Sequence, residues 1–259
     1  VITNLGKRVT ALALFASLTV AAFMALAAGG SERIQDALAD PGRPASDVAR
    51  DLNRKPAETL RFIGVKVGDK VADYASGSGY FTRLLATLVG VQGHVYASVP
   101  SPLFKYPNIV KGLSDIEAYV VSHPNVSLSF AAPLEAAHYP EKLDLFLISQ
   151  NYHDLHDPFM GPVDMHAFNR AVFDALKPGG LYVVLDHVAA PGSPADVTDN
   201  LHRIEPSTVR HEVESAGFVF EGESRALFNP ADPHTAGVFD ASIQGHTDQF
   251  LFKFKRPLR

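Results

Sequence analysis

The chain has 259 residues, of which 46% are hydrophobic and 20% charged, with 28 acidic residues against 23 Lys and Arg. That length fits one α/β domain with an N-terminal extension, and the negative balance argues against a nucleic-acid partner, whose phosphates need a basic face. There is no cysteine, which excludes a disulfide framework and a lipoprotein anchor.

Lys7 and Arg8 precede an almost wholly apolar stretch, residues 9–28, that ends in small side chains. Ala25-Leu26-Ala27 has the small-x-small pattern of a signal-peptidase site, so residues 1–27 are expected to be a cleaved export signal. The alternative is a membrane anchor, because the run is just long enough to span a bilayer. Without this segment 21 basic residues face 28 acidic ones, a net charge of −7. A cysteine-free exported chain suits a bacterial periplasm, with no stable membrane insertion after cleavage. Residues 28–60 are polar and carry Pro41, Pro44 and Pro56. Short helices are expected at about 31–39 and 45–52, with a third opening at Pro56, where proline suits a first helical turn. This segment reads as a helical cap, or else a solvated linker, ahead of a domain over residues 61–259.

From residue 69 strands and helices alternate. A buried strand over residues 70–74 runs into a glycine-rich turn and a helix with Phe81, Leu84, Leu85 and Leu88 on one face. Strands follow at 94–99, about 125–130 and 143–149, with a helix at about 107–122 between the first two of these. The next helix carries Phe168, Ala171, Val172, Ala175 and Leu176, and glycine in the turn 177–180 is expected to cap it. Residues 181–186 form an apolar run, as in a strand covered on both faces. A helix at about 206–215 and strands at about 218–227 and 248–255 complete the domain. The alternation implies an α/β fold with a doubly wound, mostly parallel sheet and ligands beyond the carboxyl ends of its strands.

The turn after the first strand is the most informative local feature. Asp73, Gly77 and Gly79 place bare backbone and free helix N–H groups where a ligand can approach. Together with the turn at Leu176-Lys177-Pro178-Gly179-Gly180 and with Ala216-Gly217-Phe218, it resembles the class I S-adenosylmethionine-dependent methyltransferases over roughly residues 58–257. More narrowly, the chain is similar to a bacterial group of exported predicted methyltransferases. The segments 54–58, 151–157, 186–187, 201–204 and 229–235 carry that likeness. The resemblance implies a seven-stranded Rossmann-like sheet of order 3-2-1-4-5-7-6 with an antiparallel seventh strand. It also implies S-adenosylmethionine as cofactor and a small-molecule methyl acceptor. Asp73, Ser76, Gly77, Gly79, Ser98 and Asn151 become the cofactor contacts. Two positions depart from the family pattern: Ala75 stands where the first glycine is usual, and Ser98-Val99-Pro100 replaces the acidic end of the second strand.

His153, Asp154, His156 and Asp157 follow the fourth strand, and Asp186 with His187 ends the fifth, so the family's strand order brings both groups to one cleft. Methyl transfer is an in-line displacement that needs aligned reactants and, for an attacking oxygen or nitrogen, a base. His153, Asp154, Asp186 and His187 are the candidate catalytic residues, with a His as base and an Asp orienting it. The same donors could hold a divalent metal ion, or each His could be a structural hydrogen-bonding group. A ligand-binding protein that keeps the fold without turnover is the other reading. His202, Arg203 and Glu205 lie where substrate contacts are usual in this fold, while Asp232 and His234 read as an ordered turn, and Tyr80 with Phe81 as core.

Overall fold

A computed structural model describes residues 29–259, so the expected leader lies outside the described residues. The N-terminal segment folds as four short helices: α1 over residues 29–38, α2 (Ala45–Val48), α3 (Asp51–Arg54) and α4 (Pro56–Ile63), the last with proline in its first turn. Then come β1 (Lys70–Tyr74), α5 (Tyr80–Val89), β2 (His94–Pro100), α6 (Pro107–Ser122), β3 (Val126–Ala131) and β4 (Leu143–Ser149). The second half holds α7 (Met165–Ala175), β5 (Leu176–His187), α8 (Val197–Leu201), α9 (Pro206–Ser215), β6 (Val219–Ser224) and β7 (Gln249–Lys255). The seven strands form one sheet in the order β3-β2-β1-β4-β5-β7-β6. Strand β7 runs antiparallel to β5 and β6, and the other pairings are parallel. This is the expected doubly wound α/β architecture.

The period of two along each strand divides the core into two layers. Ala72, Tyr74, Phe146, Ile148, Tyr182 and Val184 meet Phe168 and Val172 of α7 and Val209 and Val213 of α9 on one face. Val71, Leu145, Leu147, Val183 and Leu185 meet Leu84, Leu85 and Leu88 of α5 on the other. Ile34 and Ala37 of α1 and Leu60 and Ile63 of α4 join that second layer.

Local expectations are corrected, beginning with the helix expected at about 45–52, which is two short helices, α2 and α3, interrupted at Ala49 and Arg50. Helix α7 is not capped by glycine: Leu176 is already extended, and Gly179 (φ +81°) lies in an irregular opening of β5. There the β4–β5 register slips between Leu143 and Leu145, while Gly179 N–H donates to Arg256 O and Arg256 N–H donates to Gly180 O. The long last strands shorten to six and seven residues, leaving residues 225–248 as a folded loop. Helix α8 was not foreseen, because its five residues are too few to show a period. Among the described residues no helix is long and apolar enough to cross a membrane.

Candidate active site at the strand ends

A cavity of about 760 Å³ opens beyond the carboxyl ends of β1, β4 and β5. One wall is the β1–α5 turn, where Ala75, Ser76, Gly77 and Ser78 line the space beside Asp73. Gly77 has φ +54°, and a Cβ added there would meet nothing within 4 Å. Ala75 takes φ +57°, a conformation in which its own Cβ is strained. The alanine found in place of a glycine therefore keeps the glycine's backbone.

Asp73 is 2% exposed and accepts a 2.6 Å hydrogen bond from Thr82 Oγ1. Burial pushes its pKa up to about 6, against the pull of Thr82 and of the Arg54 and Arg83 charges. The hydroxyl of Ser76, and that of Ser149 at the end of β4, are buried on the cavity wall without a partner among the described residues. A buried hydroxyl without a partner is costly, so these two suit a polar ligand.

The N-terminal helices close this wall. Arg54 Nη2 donates to Gln150 Oε1 at 2.6 Å, and its guanidinium lies 4.7 Å from the Tyr80 ring centroid. Among the described residues no carboxylate ion-pairs with Arg54, so the cavity holds a cation free for an anionic group. Burial lowers its pKa to about 10, which leaves it charged at neutral pH. Tyr80 and Phe81 are buried as expected and also line the cavity.

The opposite wall carries the titratable rim. His153 Nδ1–H donates to Asp186 Oδ1 at 2.8 Å, and the backbone N–H groups of His153 and His187 donate to the same carboxylate. Asp186 is fully buried and held below the usual carboxylate range: burial opposes this, but the His153 charge and these hydrogen bonds outweigh it. Burial alone would depress His153, yet the carboxylates of Asp186 and Asp154 raise it to about 9. Asp154 Oδ1 lies 3.4 Å from His153 Nε2, and Asp154 Oδ2 accepts from Asn151 Nδ2 at 2.6 Å. His187 hydrogen-bonds Thr247 Oγ1 through Nδ1 at 2.7 Å, and burial lowers its pKa to about 3, so it is neutral.

The sequence-derived residues thus divide. Asp73, Ser76, Gly77, Asn151, His153, Asp154 and His187 line one cavity. Asp186 stands behind the wall and reaches it through His153. Gly79 turns the chain into α5 with φ +87°, and a Cβ there would lie 3.1 Å from Ile116. Ser98 is fully buried opposite Tyr74 and does not reach the cavity, because β2 continues to Pro100. At that end the polar lining residue is Asn108, on α6. His156 turns away to Glu212 at 2.9 Å, and Asp157 is buried outside the lining. Arg203 and Asp232 form a fully buried ion pair at 2.9 Å, and Glu205 caps the turn at Gly192 and Ser193. Only His202 of the 202–205 group lines the cavity.

Arg50, Gln150 and Asn108 also line the site and were not singled out from sequence. Of the five described non-glycine residues in the left-handed region, Ala75, Gln150 (φ +62°) and His202 (φ +53°) line the cavity, and Lys55 and His234 do not. Strain gathered around one cavity is the pattern of a functional site, and it has no sequence signature.

Comparison with known proteins agrees with the topology. No family model matches the chain. Demethylspheroidene O-methyltransferase of Rhodobacter capsulatus is 23% identical over 214 residues, covering 77% of this chain and 46% of that protein. The chain thus corresponds to about half the length of that relative. The structure of a SAM-dependent methyltransferase from Aquifex aeolicus superposes with a TM-score of 0.54 at 18% identity, covering 87% of this chain and 98% of that one. An arsenic(III) S-adenosylmethionine methyltransferase from Chlamydomonas reinhardtii gives 0.51 at 15% identity, covering 87% and 73%. With the strand order and the glycine turn, these likenesses show that the chain has the class I S-adenosylmethionine-dependent methyltransferase fold.

Proposed function

We propose that the protein is an S-adenosylmethionine-dependent methyltransferase acting on a small molecule, and that it works after export. The observation that carries the reading is the single cavity that joins the glycine turn to the His–Asp rim. The cofactor would supply an electrophilic methyl group. Asp73 would accept from its ammonium, and Arg54, with which no carboxylate pairs among the described residues, would hold its carboxylate. Ser76 and Ser149 offer partnerless hydroxyls, Gly77 lets the ligand lie on bare backbone, and Asn108 supplies polar contact where the second strand has no acid. On the other side, His153 and Asp154 position the acceptor, and His187, held neutral, takes up the proton of an attacking oxygen or nitrogen. Asp186 fixes His153. Export rests on the sequence of residues 1–27.

Separate effects on the two walls test the assignment. His187→Ala should lower turnover, read as release of the demethylated cofactor, by about 10²- to 10⁴-fold, the usual worth of a positioned base, and His153→Ala should lower it by loss of positioning. Cofactor affinity should stay nearly unchanged in both. Equal losses in turnover and affinity would remove the base role.

A further inference from the structure

We propose that His153, Asp154 and His202 form a binding site for one divalent transition-metal ion on the acceptor wall of the cavity. One donor atom from each of the three lies within 4.8 Å of the others. His153 Nε2 is 3.4 Å and His202 Nδ1 3.9 Å from Asp154 Oδ1, so a small inward movement brings all three onto one ion. Two imidazoles and one carboxylate suit Zn²⁺ and related ions, and three protein ligands leave positions open to exchangeable ones.

Two features besides proximity mark the site. Its ligands are oriented from behind: Asp186 accepts from His153 Nδ1 and leaves Nε2 facing Asp154, while Asn151 holds the second oxygen of Asp154. Outer-shell carboxylates and amides of this kind set the direction and basicity of metal ligands. Charge is the second feature. Asp154 and Asp186 are both buried, and among the described residues neither has a Lys or Arg ion-pair partner. The His153 imidazole is the partner the two carboxylates share, and a divalent ion in place of its Nε2 proton compensates this wall more fully.

His202 supplies a further argument. It ends α8 at φ +53° and ψ +49°, where glycine is the favoured residue, and it presents an imidazole edge-on to His153 with ring centroids 5.5 Å apart. A glycine there would relieve the backbone, so the histidine stands against local preference. All three ligands line the cavity, and its open coordination positions would therefore face the space beside the glycine turn. On the methyl-transfer reading, those positions take an acceptor oxygen, from a hydroxyl or carboxylate.

The test is Zn²⁺ titration of the full folded chain after EDTA treatment, without S-adenosylmethionine, so that its outcome is independent of cofactor binding. The proposal expects one Zn²⁺ per chain at micromolar concentration or below. It expects His202→Gly to keep or raise the melting temperature while weakening Zn²⁺ by more than about tenfold. Asp154→Asn should weaken it equally and decides the matter if the first variant does not fold. His138→Ala, at an exposed histidine remote in sequence from the three, should retain full affinity. No saturable uptake up to millimolar Zn²⁺, or uptake changed by less than about tenfold in the ligand variants, would overturn it.

Discussion

Asp73 and Ala75 show how single residues set the character of this cavity. Asp73 is fully enclosed, its pKa is raised to about 6, and the groups that face it are Thr82, Arg54 and Arg83. Between the ordinary carboxylate value of 3.8 and about 6, the folded chain therefore holds a proton that the unfolded chain has lost. Stability from this group is greatest below that window and falls as pH rises through it, by up to about 3 kcal/mol. A cationic ligand works in the opposite direction, since it favours the carboxylate. S-adenosylmethionine affinity should rise with pH through about 6, with proton release on binding, as read by calorimetry in buffers of different ionisation enthalpy. Asp73→Asn should abolish both effects. Ala75→Gly should raise stability by about 1 kcal/mol in a denaturant melt, because the left-handed backbone strains a Cβ. A loss of stability would show that the methyl group gains more from contact than the backbone loses.

At the scale of elements, three ionic networks hold the irregular segments in place. Asp47, 1% exposed, accepts from Arg83 Nε at 2.7 Å and pairs with Arg50, tying α2 to α5. Arg43 makes a two-pronged pair with Asp51, which also accepts from Tyr80 at 2.7 Å. These bonds place Arg50 and Arg54 at the cavity. The loop 225–248 is fixed by Arg203, which donates to both oxygens of Asp232 and to the carbonyls of Ala236 and Val188. Arg203→Ala leaves Asp232 charged and buried, and should cost about 3–5 kcal/mol in chemical denaturation. A loss below about 1 kcal/mol would show that the network is not holding the loop. The proline-rich spacing around Asp232 suggested an ordered turn, and the structure supplies the cause in that ion pair.

For the whole molecule, the strand–helix alternation and the near-continuous apolar runs of β1, β4 and β5 made the doubly wound sheet legible before any coordinates. The strand order came from the resemblance rather than from periodicity. Within the site, Asp73, the glycine turn and the residues after β4 were visible because they follow strand ends, where this architecture collects ligands. Ser98 does not reach the cavity because β2 runs two residues past it to Pro100, and a strand end is not legible in sequence to within two residues. Arg50, Gln150 and Asn108 come to the cavity through tertiary contact between distant segments, which no local pattern encodes. The central claim is that this cavity takes S-adenosylmethionine on the glycine turn. Calorimetric titration of residues 28–259 with S-adenosylmethionine and its demethylated product tests it most directly. The account predicts one site of micromolar affinity, weakened about tenfold to a hundredfold or more by Asp73→Ala, as loss of a buried bond to a charged group requires. No heat and no thermal shift at millimolar ligand, or binding unchanged in Asp73→Ala, would contradict it.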